Sequence, residues 1–375
     1  MTPERHTALA ASLLALIVAP SCATSNQAAT SNPPAADAAA PADAGTARRP
    51  DGPIDCGDTQ SSPGNCGACD HDCLGGTCKA GKCQPVAISG SSSTSGIAVG
   101  TDYLYFGDRS AHVVARVDKR VAKQARYEIL AKDQQYPYGM TIDGADLFWT
   151  DLGQFVAQSQ GILDITPNTG AVATLDSNGA VSFLAKPVDQ PTELRIVGNE
   201  VYWSTITGVY AAPRAGGPAR RLTVERADNL AVDDSTVYFV DNAAGELRQI
   251  ARTATNASST LLATIDLADC VEQDADAIYV CANDLQYKKR GGIARVTRDG
   301  DKKYLVTGAD GVMALKLSGD DIFYSDYGNG ISRVPRDGSA PAEPLYQGRA
   351  GPMAMDESAI YFYDRQAQGV FRLAR

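Results

Sequence analysis

Histidine is nearly missing from this chain of 375 residues: His6, His71 and His112 are all it has. Chemistry that needs two or more imidazoles in one domain is therefore excluded. A Ser-His-Asp triad would have to use His112, and no G-x-S-x-G segment accompanies it. Haem and copper sites lack ligands, and there is no phosphate-binding glycine loop. Basic residues are outnumbered, 34 Lys and Arg against 44 Asp and Glu, for a net charge of −10. That balance argues against nucleic acid, whose phosphates need clustered cations. Long apolar runs are missing too. The one candidate, residues 8–20 (ALAASLLALIVAP), is well short of the roughly 20 residues that span a bilayer. No window shows a convincing helical period.

That short apolar run follows Arg5 and His6 and reads as an export signal over residues 1–21. It ends in Ala19-Pro20-Ser21-Cys22, which resembles the bacterial lipobox. The resemblance implies lipidation of Cys22, with Ala23 favouring the outer membrane of a Gram-negative cell. An ordinary cleaved signal is the alternative. Residues 22–52 are rich in Ala, Pro, Ser, Thr and Asp, without aromatics, and cannot bury enough surface to order. They read as a disordered tether, leaving the lipid as the sole membrane contact.

Residues 53–83 hold Cys56, Cys66, Cys69, Cys73, Cys78 and Cys83 with almost no large apolar side chains. A module this small needs staples. In an exported chain these are disulfides, although the spacing leaves the connectivity open. Zinc on Cys66, Cys69 and Cys73 with Asp70 or His71 is the weaker alternative. The pattern resembles short cysteine-rich modules in secreted myxobacterial proteins. Cys270 and Cys281 flank a tight turn; pairing of Gln273 with Ile278 would set them face to face, ready for a bond.

From residue 84 onward the chain repeats. Seven segments share a short apolar strand, an acidic or glycine turn, and an aromatic strand, as in GMTIDGADLFWTD and PMAMDESAIYFYD. Their anchor aromatics are Tyr105, Phe148, Tyr202, Tyr238, Tyr279, Phe323 and Tyr361, spaced by 43, 54, 36, 41, 44 and 38 residues. A four-stranded blade repeats every 40–45 residues or about that. The expectation is an all-β, seven-bladed propeller over residues 84–375, with an insertion in the second repeat. The last repeat stops after its third strand, so residues 84–90 should supply the missing one. Phe148-Trp149-Thr150-Asp151, Tyr202-Trp203-Ser204-Thr205 and Phe323-Tyr324-Ser325-Asp326 resemble the YWTD propeller repeat of the lipoprotein-receptor type, which closes six blades.

Three residues past the anchors stand Asp108, Asp151, Asp241, Asp326 and Asp364. An acidic ring for cations is one reading. Capping of turn amides is the other, favoured by recurrence at one blade position. Nine or ten residues before the anchors, polar side chains gather in repeats three to five: Glu193, Asp228, Asn229 and Asp269. This partly resembles the oxygen-ligand metal site of gluconolactonase-like propellers, and implies Ca²⁺ as the candidate ion. Third strands carry Arg116, Arg248, Arg295, Arg333 and Arg372, followed by Lys119, Arg298, Arg336 and Arg375, with Arg214 in repeat three. These read as solvated outer-strand charges, or as a stripe for anionic envelope polymer. No catalytic residue stands out and no cofactor is expected. The leading expectation is a monomeric envelope lipoprotein whose propeller binds a protein or glycan. The alternative is a metal-dependent lactonase or esterase at the channel mouth.

Overall fold

The computed structural model describes residues 56–157, 163–283 and 291–375. The export signal, Cys22 and the tether lie outside them. All regular structure among the described residues is strand. Seven four-stranded sheets form the blades of a propeller. Blades 1 to 6 occupy residues 94–131, 137–188, 194–223, 229–264, 268–309 and 312–346. Blade 7 takes three strands from residues 350–374 and its outer strand from Val86–Gly90, which pairs with Gly369–Ala374. The wide spacing in the second repeat is a small extra hairpin, Phe155–Ala157 with Leu163–Ile165.

Each aromatic strand alternates in a way that fills the space between blades. Tyr202, Tyr279, Tyr361, Phe148, Trp149 and Trp203 are all at most 2% exposed. Rings of this size dominate core energetics. Successive hydrophobic clusters bridge neighbouring blades, one of them joining Tyr238 of blade 4 to Val271 and Val296 of blade 5. At the axis the inner strands approach closely. A Cβ on Gly96 would fall 1.8 Å from the carbonyl oxygen of Tyr138, so only glycine permits that approach.

The second row of third-strand cations is not a solvated stripe. Each sits three residues beyond the partner of its blade's anchor aromatic and reaches the preceding blade. Arg298 of blade 5 binds Asp233 at 2.8 Å and lies 4.7 Å over the Tyr238 ring of blade 4. Arg336 binds Asp274 of blade 5 at 2.6 Å. Arg375 donates to Ser318 at 2.6 Å and covers Phe323 of blade 6. Arg214 reaches Asp143 and Asp146 of blade 2. In blade 4 the part is played by Arg252, which donates to the Tyr202 hydroxyl at 2.9 Å and stands over its ring. Lys119 of blade 1 closes the circle on Asp356 of blade 7 at 2.8 Å. Six of the seven junctions therefore carry a cationic latch. Blade 2 has Ser177 at the corresponding place, and Tyr105 of blade 1 is correspondingly only half-buried.

Four of the five in the first row are also paired within the protein. Arg116 pairs with Glu128, Arg333 with Glu343, and Arg248 with Glu246 and Glu225. Arg248 is out of step with the others: it faces Phe239, while Gln249 faces the anchor Tyr238. Arg372 is 5% exposed and donates to the carbonyls of Lys119 and Leu74. It ties the cysteine module to the seam of the ring.

In that module the disulfides are Cys56–Cys69, Cys66–Cys78 and Cys73–Cys83. Cys66, Cys73 and Cys83 come close enough to suggest a metal cluster, but all three sulfurs are in bridges. The zinc alternative is thereby replaced. A fourth bridge joins Cys270 and Cys281, which face each other across the inner hairpin of blade 5 with Gln273 opposite Ile278.

The Lys119–Asp356 latch generates a pH prediction. Burial alone would raise the Asp356 carboxyl. Hydrogen bonds from Lys119, Ser358 and the turn amides outweigh it and hold the group at about 2, below its ordinary 3.8. The stabilisation is complete above pH 3.8 and is lost as pH falls toward about 2. Asp356→Asn should lower stability at neutral pH by about 2 kcal/mol. The difference from wild type in denaturant melts should shrink across that acid window.

Candidate functional site at the channel mouth

The inner strands line an axial channel with a cavity of about 530 Å³. Glu193, Asn229 and Asp269 line it, each at the start of an inner strand in blades 3, 4 and 5. Asp228 is not among the lining residues. Its carboxylate accepts from Nε and Nη2 on one edge of the Arg226 guanidinium, at 2.9 and 2.6 Å, and from the amide of Asn242. Glu193 is ion-paired to Arg195. Asp269 accepts from Asn283 at 3.0 Å, and burial, seconded by the charge of Asp228, pushes its carboxyl up toward the neutral form. The buried Oδ1 of Asn229 has no hydrogen-bond partner among the described residues. The four candidates thus do not form one open oxygen ligand set. Two are neutralised by arginine and a third is biased toward protonation, which weakens it as a ligand.

Deeper in the channel a charge quartet crosses between blades. Arg195 of blade 3 binds both Glu193 and, at 3.1 Å, Glu272 of blade 5; Lys316 of blade 6 binds Glu272 as well. Burial works against the charge of Glu272, but Lys316 and Arg195 overcome it and hold its carboxyl low. Two cations and two carboxylates leave the group neutral overall. Buried pairs of this kind add little net stability, yet breaking one partner is costly.

The repeated aspartates cap turns. Asp108 accepts from the amides of Ser110 and Ala111, Asp151 from Gln135, Tyr136 and Gly153, and Asp364 from Gln366 and Ala367. Asp326 accepts from Gly328, and Asp241 from Ala244. With the amides as partners, they do not converge on a cation. In blade 3, Thr205 does the same work for the amide of Thr207.

Sequence reasoning missed the opposite half of the mouth. Loops of blades 6, 7, 1 and 2 carry Arg109, Arg349 and Arg365, exposed and without an ion pair among the described residues. Beside them lie Tyr136, Tyr138, Phe155 and Tyr327. The readable signal was an Asp-Arg dipeptide after the aromatic strand, present only in blades 1 and 7 (Asp108-Arg109 and Asp364-Arg365). The mouth is therefore bipolar. Tyr138 sits where the halves meet: burial raises its phenol, Asp269 and Glu193 raise it further, and Arg365 opposes them.

No family model and no curated protein matches this chain. Solved structures do. A virginiamycin B lyase from Staphylococcus aureus is similar at TM-score 0.59 and 13% identity, covering 78% of this chain and 98% of its own. A streptogramin B lyase is similar at TM-score 0.57 and 14% identity, covering 77% and 96%. The computationally designed Ika8 protein is similar at TM-score 0.50 and 12% identity, covering 77% and 99%. At such identities the likeness shows the propeller fold alone.

Asp269 offers a test of the mouth's electrostatics. Its raised carboxyl means that the ionised form is disfavoured in the fold, a cost present at neutral pH and relieved in acid. Asp269→Asn keeps an acceptor for Asn283 and removes that cost. The variant should melt higher than wild type at neutral pH, with the gain disappearing once pH drops below the ordinary carboxylate range. An Asp269→Asn protein that melts lower at neutral pH would refute this account.

Proposed function

We propose that this protein is an exported cell-envelope lipoprotein, anchored through Cys22, whose propeller binds a protein or glycan on the channel-mouth face. The observation that carries this reading is the contrast between the two halves of the mouth. Carboxylates of blades 3 to 5 are neutralised by arginine or held toward the protonated form, whereas the arginines and aromatics of blades 7, 1 and 2 are presented outward. Rigid strands hold these loops in place, which is where binding residues concentrate. Arginine and tyrosine are the side chains most enriched where binding energy is concentrated. Calcium-dependent hydrolysis is the weaker reading. It would need Asp269 ionised and Glu193 released from Arg195.

Large side chains placed on the mouth should block binding without touching the core. Ser110→Trp and Ala367→Trp, both at exposed turn positions on this face, should abolish capture of the envelope component retained by the wild-type chain. Glu357→Trp, exposed at the opposite end of blade 7, should retain it. Capture that survives both mouth substitutions would place the binding surface elsewhere.

The anchor is tested separately. Cys22→Ala should move the exported protein from the membrane fraction to the soluble one. Unchanged membrane partition would refute lipidation at that residue.

A further inference from the structure

The aromatic and arginine half of the mouth has an internal design that specifies a ligand class. Tyr136 is central to one cluster. Its ring lies 4.8 Å from Phe155 and 6.1 Å from Tyr138, each at a modest tilt. Arg109 donates to the Tyr136 hydroxyl at 2.8 Å and to Ser93, with its guanidinium 5.3 Å from the ring. The guanidinium is thus fixed in place while donors remain for a ligand. In a second cluster, Arg365 and Arg349 both stand over Tyr327, at 5.1 and 5.8 Å. Two guanidinium groups share one ring there, and neither has a carboxylate in reach among the described residues. Tyr363 lies between the clusters, its hydroxyl bonded to the Ser92 carbonyl at 2.7 Å, and it feels the charges of both Arg365 and Arg109.

We infer that this half of the mouth binds an acidic polysaccharide, a sugar chain bearing carboxylates, laid across blades 6, 7, 1 and 2. The inference deepens the proposed function and rests on it. Three features converge. Tyr136, Tyr138 and Phe155 are half-buried, and the part of this packed cluster left open gives an apolar surface for the C–H face of a sugar ring. Arginine is the cation whose planar fork matches a carboxylate with two parallel hydrogen bonds. The protein's net charge of −10 repels polyanions in general, so retention must come from these local contacts. Asp228, Glu193 and Asp269 on the far side of the channel give an acidic chain no counter-charge, which confines it to the arginine side.

The test is calorimetric titration of the full mature chain with oligogalacturonide and oligomannuronate, against a neutral malto-oligosaccharide and polyglutamate. Saturable binding to at least one uronate oligomer is expected, with none to the neutral sugar and much weaker binding to polyglutamate. Arg109→Ala and Arg365→Ala should each weaken it roughly tenfold, and Tyr136→Ala by a similar factor. Lys303→Ala, an exposed cation on an outer strand of blade 5, should leave it unchanged. The Arg365 side chain is exposed and has no ion pair among the described residues, and its backbone bond to the Arg349 carbonyl survives the substitution, so an unchanged melting temperature for Arg365→Ala is expected and separates lost binding from misfolding. Absence of saturable uronate binding, equal binding to polyglutamate, or binding indifferent to these arginines would each overturn the inference. If that happens while the tryptophan blocks still abolish envelope capture, the binding-scaffold reading stands and the uronate assignment alone falls.

Discussion

A cation from one blade reaching the aromatic anchor of the blade before it, or the turn carboxylate beside that anchor, is the contact on which this ring depends. A propeller has no single core. Each blade buries its faces only against two neighbours, so the junctions must be specific as well as apolar. Here specificity comes from position. The anchor aromatic, the turn carboxylate beside it, and the arginine or lysine of the next blade meet at one level of the ring. The carboxylate is already fixed by its own turn amides, as with Asp233, Asp274 and Asp356, so the latch orders few side chains anew. Where the latch is missing, between blades 1 and 2, the anchor Tyr105 is less covered, and the junction relies on packing and on hydrogen bonds at the mouth end, from Ser95 to the Pro137 carbonyl and from Arg109 to the Tyr136 hydroxyl.

The same economy governs the axis. Charge that enters the channel from blades 3, 5 and 6 is balanced there, and Asp228 takes its counter-ion from two residues upstream. What remains unbalanced faces outward on the other side of the mouth. The fold thereby separates a self-satisfied interior from an unsatisfied rim, and the rim is where a partner finds groups still able to bond.

Much of the architecture could be read before any coordinates. The aromatic spacing implied seven blades, and the missing strand of the last repeat pointed to Val86–Gly90, which the structure places there. The turn aspartates had a local role that needs only neighbouring amides. What could not be read depended on contacts between blades. Arg298 and Asp233 lie 65 positions apart, and nothing local announces their meeting. A one-residue offset hid Arg252, because Arg248 looked like the aligned residue while Gln249 faces the anchor. The partners of the metal candidates were hidden for a related reason. Sequence showed where Glu193 and Asp228 stand on their strands, but not that Arg195 and Arg226 would claim them.

The three bridges of the cysteine module overlap along the chain, each loop beginning before the previous one ends. Its docking on Arg372 fixes it beside the closing strand. Between Cys56 and Val86 the chain is cross-linked three times, and the Leu74 carbonyl within it is bonded to Arg372 on the third strand of blade 7. Three covalent loops thus stand directly ahead of Val86–Gly90, the strand whose pairing with Gly369–Ala374 closes the ring.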